Sequence, residues 1–163
     1  MLADGSRVRT RAIEPADRDA LADGFARLSA RSRYRRFLGP KHTLTARELT
    51  YLTEVDHVTH EAVVAFDEAG DRMVGVARYA AWPGSDDTAD LAVTVADDWH
   101  RRGLGSALTA SVVGCARANG IRRLTGTILW ENAAAAALLR RLGFRPVGSS
   151  DGALEFSLDL APT

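Results

Sequence analysis

Residues 93–109 read VTVADDWHRRGLGSALT: a β-branched run, a polar break, and Gly103-Leu104-Gly105 leading directly into a stretch of helical character. In a strand-to-helix turn of this kind the first N–H groups of the helix have no intrahelical partner, and the helix N-terminus carries about half a positive charge. Glycine lets a phosphate approach those amides with no Cβ in the way. The chemistry expected is the cradling of a pyrophosphate, with His100, Arg101 and Arg102 before the glycines and Ser106 after them. Two other phosphate motifs are excluded. There is no Gly-Lys-Ser/Thr of a P-loop, and the third glycine and downstream acid of a dinucleotide fingerprint are missing. Two glycines alone can also merely shape a tight turn, so the surrounding elements decide the reading.

Those elements can be read from periodicity. Residues 7–13 alternate charged and apolar side chains as a half-buried strand does, ending at Glu14-Pro15. Ala20, Leu21, Phe25 and Leu28 recur at helical spacing within 16–28, and a second short helix is expected over 29–37. Thr45-Ala46-Arg47-Glu48 fits a capping box ahead of Leu49 and Leu52. Residues 61–66 and 73–81 are β-rich runs joined by a loop of hairpin composition, so they should pair antiparallel. A strand over 90–95 follows, then a helix over 104–119 whose buried stripe is Leu104, Leu108, Val112 and Cys115, stopped at Asn119-Gly120. A strand over 123–129, a helix from about 132 to 142 and two strands near 144–147 and 153–160 complete the chain. The fold class expected is α/β (α+β in some schemes), with a mixed sheet of about seven strands and helices on both faces.

The composition narrows the function. The 163 residues carry 21 Lys+Arg against 21 Asp+Glu, and 46% are apolar, which suits one globular domain, 1–163, with a core of its own. Zero net charge gives no surplus for neutralising phosphate, so no nucleic-acid partner is expected. No apolar run approaches the roughly 20 residues of a membrane helix, and no apolar leader opens the chain, so no membrane association and a cytoplasmic setting are expected. Metal is not expected, because the His and Cys residues do not cluster at ligand spacing. The lone Cys115 fits a buried structural thiol.

At this point the chain resembles the GNAT superfamily of N-acetyltransferases. His100-Arg101-Arg102-Gly103-Leu104-Gly105 is similar to that family's coenzyme A loop, Gln/Arg-x-x-Gly-x-Gly/Ala, with His at the first position. Asn132, Ala135 and Leu142-Gly143-Phe144 resemble its Asn-x-x-Ala...Leu-Gly-Phe signature. The resemblance implies a mostly antiparallel sheet whose central strands, around 93–95 and 127–129, splay apart to admit the pantetheine arm of acetyl-CoA. It implies backbone contacts to that arm from Val93 and Val95, with Asn132 and Ala135 nearby, and phosphate contacts over His100 to Ser106. Residues 28–65 resemble the segment ahead of the catalytic core in bacterial protein lysine acetyltransferases, including those fused to regulatory domains. No such domain fits in 163 residues, so a stand-alone catalytic module is expected.

The reaction implied is direct transfer, in a ternary complex, of an acetyl group from acetyl-CoA to a primary amine, a protein lysine ahead of a small molecule. A lysine ammonium costs roughly 4 to 5 kcal/mol to deprotonate at pH 7, so a base is required. Asp90 is the favoured base, acting directly or through a water, and the Val93 N–H would meet the oxyanion. The family often carries a Tyr acid in its last helix where this chain has Leu139, so the thiolate would leave unassisted or take a proton from water or the ammonium product. Asp56, His57, His60 and Glu61, expected to cluster ahead of a strand, fit loop polarity better than an acceptor pocket or an alternative base. Arg31, Arg33, Arg35 and Arg36 fit a solvated helix face better than a contact to an acidic substrate or to the coenzyme's 3′-phosphate. Trp99 and Trp130 fit packing roles. A small-molecule amine acetyltransferase and a catalytically silent acyl-CoA sensor are the alternatives, and a monomer or a homodimer fits either.

Overall fold

In the computed structural model, which describes residues 1–69 and 71–160, the strands are β1 (Val8–Ala12), β2 (His60–Asp67), β3 (Met73–Ala81), β4 (Thr88–Val95), β5 (Arg123–Leu129), β6 (Arg145–Ser150) and β7 (Ala153–Asp159). The helices are α1 (Arg18–Arg27), α2 (Ala30–Phe37), α3 (Ala46–Thr53), α4 (Leu104–Ala118) and α5 (Ala133–Arg141). Local chemistry sets several of these boundaries. The Ser29 hydroxyl accepts the Ser32 N–H at the start of α2, and Thr45 and Glu48 close the expected capping box on α3.

The strands form one seven-stranded sheet in the order β1-β2-β3-β4-β5-β7-β6, antiparallel except for β4 beside β5. That parallel pairing lasts only from Thr88–Arg123 to Asp90–Thr125. Beyond it β4 stays with β3 as far as Val95–Gly75, and β5 stays with β7 as far as Leu129–Ala153. The two central strands therefore diverge towards their C-terminal ends and leave a wedge in the middle of the sheet.

Side-chain alternation assigns the two faces. Ala77, Tyr79, Leu91 and Leu124 pack beneath α4 and α5 in one large apolar cluster with Leu104, Leu108, Val112, Ala136, Leu139 and Phe156. The opposite face carries a smaller cluster of Ile13, Leu21, Leu52, Val64, Phe66 and Val76 under α1 and α3. Gly75 is fixed by this packing, because a Cβ there would lie 2.8 Å from Leu108 Cδ1. Helix α2 crosses the open end of the wedge: Ser32 Oγ donates to Asp97, just past β4, and Arg35 donates to Glu131, just past β5.

Four sequence expectations are corrected. β1 is an edge strand whose residues from Arg9 to Ala12 are exposed, and the buried anchor is Ile13, just outside it. The α4 stripe turns one residue further, so Ala116 is fully buried and Cys115 only half-buried. Trp99 packs, whereas Trp130 is exposed, since it lies past β5 where the sheet ends. His60 and Glu61 do not precede a strand; both are buried inside β2.

Candidate active site

Hydrogen bonding along β4 alternates between its two sides. Ala96 N–H donates to Val74 and Trp82 N–H donates to Thr88, so the even-numbered residues from Thr88 to Ala96 direct their backbone groups at β3. Leu91, Val93 and Val95 thus turn theirs towards β5, and past the last β4–β5 pair the groups of Val93 and Val95 open into the wedge, where no strand meets them. His100 Nε2 lies 2.9 Å from the Val95 carbonyl oxygen and donates to it. Its ring is thereby held at the wedge mouth.

The turn after β4 holds Arg101 at φ 62° and Gly103 at φ 86° before α4 begins. The second value lies in the left-handed region that glycine adopts without a Cβ penalty. The first-turn amides of Leu104, Gly105 and Ser106 precede any intrahelical acceptor. Leu104 contributes through its backbone alone, since its side chain is core. Gly105 sits where a Cβ would touch Leu138 of α5 and Val95, so the first turn of α4 packs against α5 and the end of β4. Arg102 is engaged elsewhere: it stacks over Trp99, bonds to Ser6 Oγ and faces Asp4. Arg101 is exposed. Asn132 caps α5, its side-chain oxygen accepting from Ala135 N–H at 3.2 Å. Leu139 is buried against the Gly126 backbone, so nothing at that position can donate a proton.

Asp90 is the last residue paired across the wedge, and it lies at its apex on the face opposite α4. The Thr125 hydroxyl donates to its carboxylate at 2.9 Å, and the exposed Trp82 donates Nε1–H to the same hydroxyl oxygen at 3.1 Å. The side chain is open to solvent, yet the surrounding cleft walls thin its hydration and push the carboxyl above its ordinary value, partly offset by the Thr125 hydroxyl and the positive charge of Arg36. On the same face, Arg78 of β3 is buried, with Nη1 2.9 Å from the Leu52 carbonyl and 3.1 Å from His60 Nε2. Burial and the neighbouring Arg78 lower His60 to about 4, which keeps it neutral as a hydrogen-bond acceptor.

The four polar residues ahead of and within β2 are separated by the sheet. His60 shares the face of Asp90. Glu61 points to the other side, 2.8 Å from His57 Nδ1. Asp56 caps the backbone of Val58, Thr59 and His60, and these bonds with the Thr59 hydroxyl hold it well below the usual carboxylate range. The four arginines of α2 divide as well: Arg31 and Arg35 pair with Glu131, Arg33 bonds to the Ala26 and His42 carbonyls, and Arg36 turns inward to the cavity that Arg78 also lines. Sequence reading missed Thr125, Trp82 and Arg78. Only Arg78 had a signal there, as a lone charge inside the apolar run 73–81. Among the described residues no group of His, Cys, Asp or Glu is placed to hold a metal ion, and no helix is long and apolar enough to cross a membrane.

A family model described as an acetyltransferase (GNAT) domain matches residues 7–145. The acetyltransferase Pat of Mycolicibacterium smegmatis is 30% identical over 152 residues, which cover 93% of this chain and 45% of that protein. An acetyltransferase of Pseudomonas aeruginosa is 35% identical over 152 residues, covering 92% of this chain and 80% of that protein. Thus the chain spans less than half of the first relative and most of the second. The crystal structure of the GNAT domain of S. lividans PAT superposes with a TM-score of 0.90 at 28% identity, covering 98% of this chain and 94% of that one. A split central sheet, a glycine turn opening α4 at its mouth and these matches lead to one conclusion: the chain belongs to the GNAT acetyltransferase family.

Proposed function

We propose that the protein is an acetyl-CoA dependent N-acetyltransferase that acts on a primary amine within a ternary complex. The observation that carries this reading is the wedge itself, with helix N-termini at its mouth and Asp90 at its apex. From Val95 to Asp90 an extended strand covers about 17 Å, a span suited to an extended pantetheine arm. In this reading the pyrophosphate meets the amides of Gly103, Leu104, Gly105 and Ser106, with His100, Arg101 and Arg102 bordering it, and the arm pairs with backbone groups of Val93 and Val95. Asn132 and Ala135 flank the arm from the α5 side. The amine nitrogen attacks the thioester carbonyl carbon, the Val93 N–H stabilises the oxyanion, and Asp90 removes the ammonium proton directly or through a water. Collapse breaks the C–S bond, and the thiolate takes its proton from water or from the product ammonium, since Leu139 offers none.

The likeness of residues 28–65 to bacterial protein lysine acetyltransferases favours a protein lysine as acceptor. The test begins with the unfolding midpoint. At about 100 times Kd, acetyl-CoA should add about 2.7 kcal/mol, or roughly 5 to 11 °C for a domain of this size, while ATP and NAD should add little. No shift with acetyl-CoA would remove the coenzyme site. Thiol release with lysine peptides and with small amines then separates the two acceptor classes, and binding without release from any amine would favour an acyl-CoA sensor.

A further inference from the structure

The face that carries Asp90 also carries two arginines that no carboxylate among the described residues meets in an ion pair. Arg78 is 5% exposed, and the two groups it bonds, the Leu52 carbonyl and the His60 ring, are both neutral. Arg36 reaches the same cavity from α2, with its guanidinium 4.7 Å over the Phe37 ring and no ion pair or hydrogen bond among the described residues. Between α1, α2 and the β3–β4 surface the cavity walls are otherwise apolar, apart from Thr94. Asp90 offsets the pair only in part: its charge is felt at Arg36, but its carboxylate is hydrogen-bonded to Thr125 and makes no ion pair with either arginine among the described residues.

Withdrawing one guanidinium from water without an anion is costly, and a second one beside it adds repulsion. Such an arrangement is explained when a ligand brings the anion. A carboxylate matches the planar fork of arginine better than a rounder or single-point anion does. Arg78 stands opposite Ala92, and Asp90 stands opposite Ala80, so Arg78 and Asp90 are diagonal neighbours on one face, with Cα atoms about 7 to 8 Å apart. A group held by the arginines is therefore only a few bonds from an amine at Asp90.

We propose that Arg36 and Arg78 form an anion subsite that takes a carboxylate carried by the acceptor and sets its amine against Asp90. This rests on the amine-acetyltransferase reading above and specifies its substrate class: an amine accompanied by a nearby carboxylate. The carboxylate belongs either to a free amino acid or to an acidic side chain beside a lysine.

A calorimetric titration of the protein saturated with coenzyme A tests the subsite without turnover. N-acetylglycine and N-acetylglycinamide differ in the carboxylate alone, and the acid is expected to bind about tenfold tighter or more. That ratio should fall towards one in Arg36→Gln while coenzyme A affinity is unchanged. Arg78→Lys should keep part of the preference, and if that buried variant does not fold, Arg36→Gln still decides. Equal binding of acid and amide, or a preference that survives Arg36→Gln, overturns the subsite. Rates of thiol release identify the source of the carboxylate: free L-amino acids against their carboxamides, and lysine peptides with Glu against Gln beside the lysine. A preference in the first set assigns a free amino acid, a preference in the second a peptide side chain, and turnover without preference in either overturns the proposal. Coenzyme binding with no thiol release from any amine overturns the acetyltransferase reading instead, and the titration alone then decides the anion site.

Discussion

The two faces of the sheet are built from different materials. Under α4 and α5 the buried layer is mostly aliphatic and aromatic, running from Val63 and Ala77 through Leu108 and Val112 to Phe156, with Glu61 and Thr109 as its buried polar side chains. Under α1 to α3 the apolar cluster is smaller, and beside it lie Arg78, His60, Arg36 and the Asp90–Thr125 pair. Apolar packing makes the first face tolerant of nothing but shape and volume. The second face keeps groups whose desolvation weakens the fold, and the wedge opens onto both. The difference separates a side that positions the glycine turn from the side on which the acceptor is proposed to bind.

If the second face performs the chemistry, Asp90→Asn should lower kcat about 100- to 10,000-fold and leave the acetyl-CoA shift in midpoint intact. Since the thinned hydration of the cleft raises the Asp90 carboxyl, the rate of the native enzyme should fall with acidification at a pH above the ordinary aspartate range, because the base must be ionised. Retained activity in the variant would move the chemistry off this face.

The electrostatic cost of that face should also appear in stability. Unfolded His60 titrates near its ordinary 6.5, but in the folded chain it binds a proton only at about 4. The unfolded state therefore gains the proton first. Stability is complete above pH 6.5 and declines as pH falls from 6.5 to 4, by roughly 3 kcal/mol from this group. His60→Gln, which keeps an acceptor for Arg78, should flatten the decline of Tm between pH 7 and 4.5, and an unchanged slope would show that His60 titrates freely.

On the apolar face, Gly75→Ala forces a Cβ to within 2.8 Å of Leu108 Cδ1 and 3.3 Å of Leu104 Cδ2. Overpacking of this kind costs about 1 to 3 kcal/mol, readable as a lower Tm, with no change in the pH profile. Thr125→Val removes one bond that lowers the Asp90 carboxyl, so the acid limb of the rate profile should move to higher pH with only a few-fold loss of kcat, on the order of one hydrogen bond. The smallest effect is expected where the faces meet solvent. Glu131→Gln breaks the exposed pairs with Arg31 and Arg35, and Tm should stay within error, because exposed ion pairs contribute little.

Much of this molecule is local chemistry written in order. The strand, the glycine turn and the helix over residues 93–109, the Thr45–Glu48 box and the helix beginning near 132 depend on neighbours at most a few residues away, so their spacing was readable. The edge exposure of β1, the half-burial of Cys115 and the exposure of Trp130 depend on where the sheet ends, which no local pattern contains. The same holds for the site. Asp90 could be named from its place at the start of the strand over 90–95, yet its face was open until the pairing of β3 with β4 fixed the parity.

The sequence by itself determined the periodicities, the caps and the amide-presenting turn, because helix and strand formation respond to side chains within one or two turns of chain. Only the tertiary structure decided that Arg36, Arg78, His60 and Asp90 share one face while Glu61 does not. Those groups come from four separate elements, and a one-residue change of strand register reverses which side of a sheet each side chain meets.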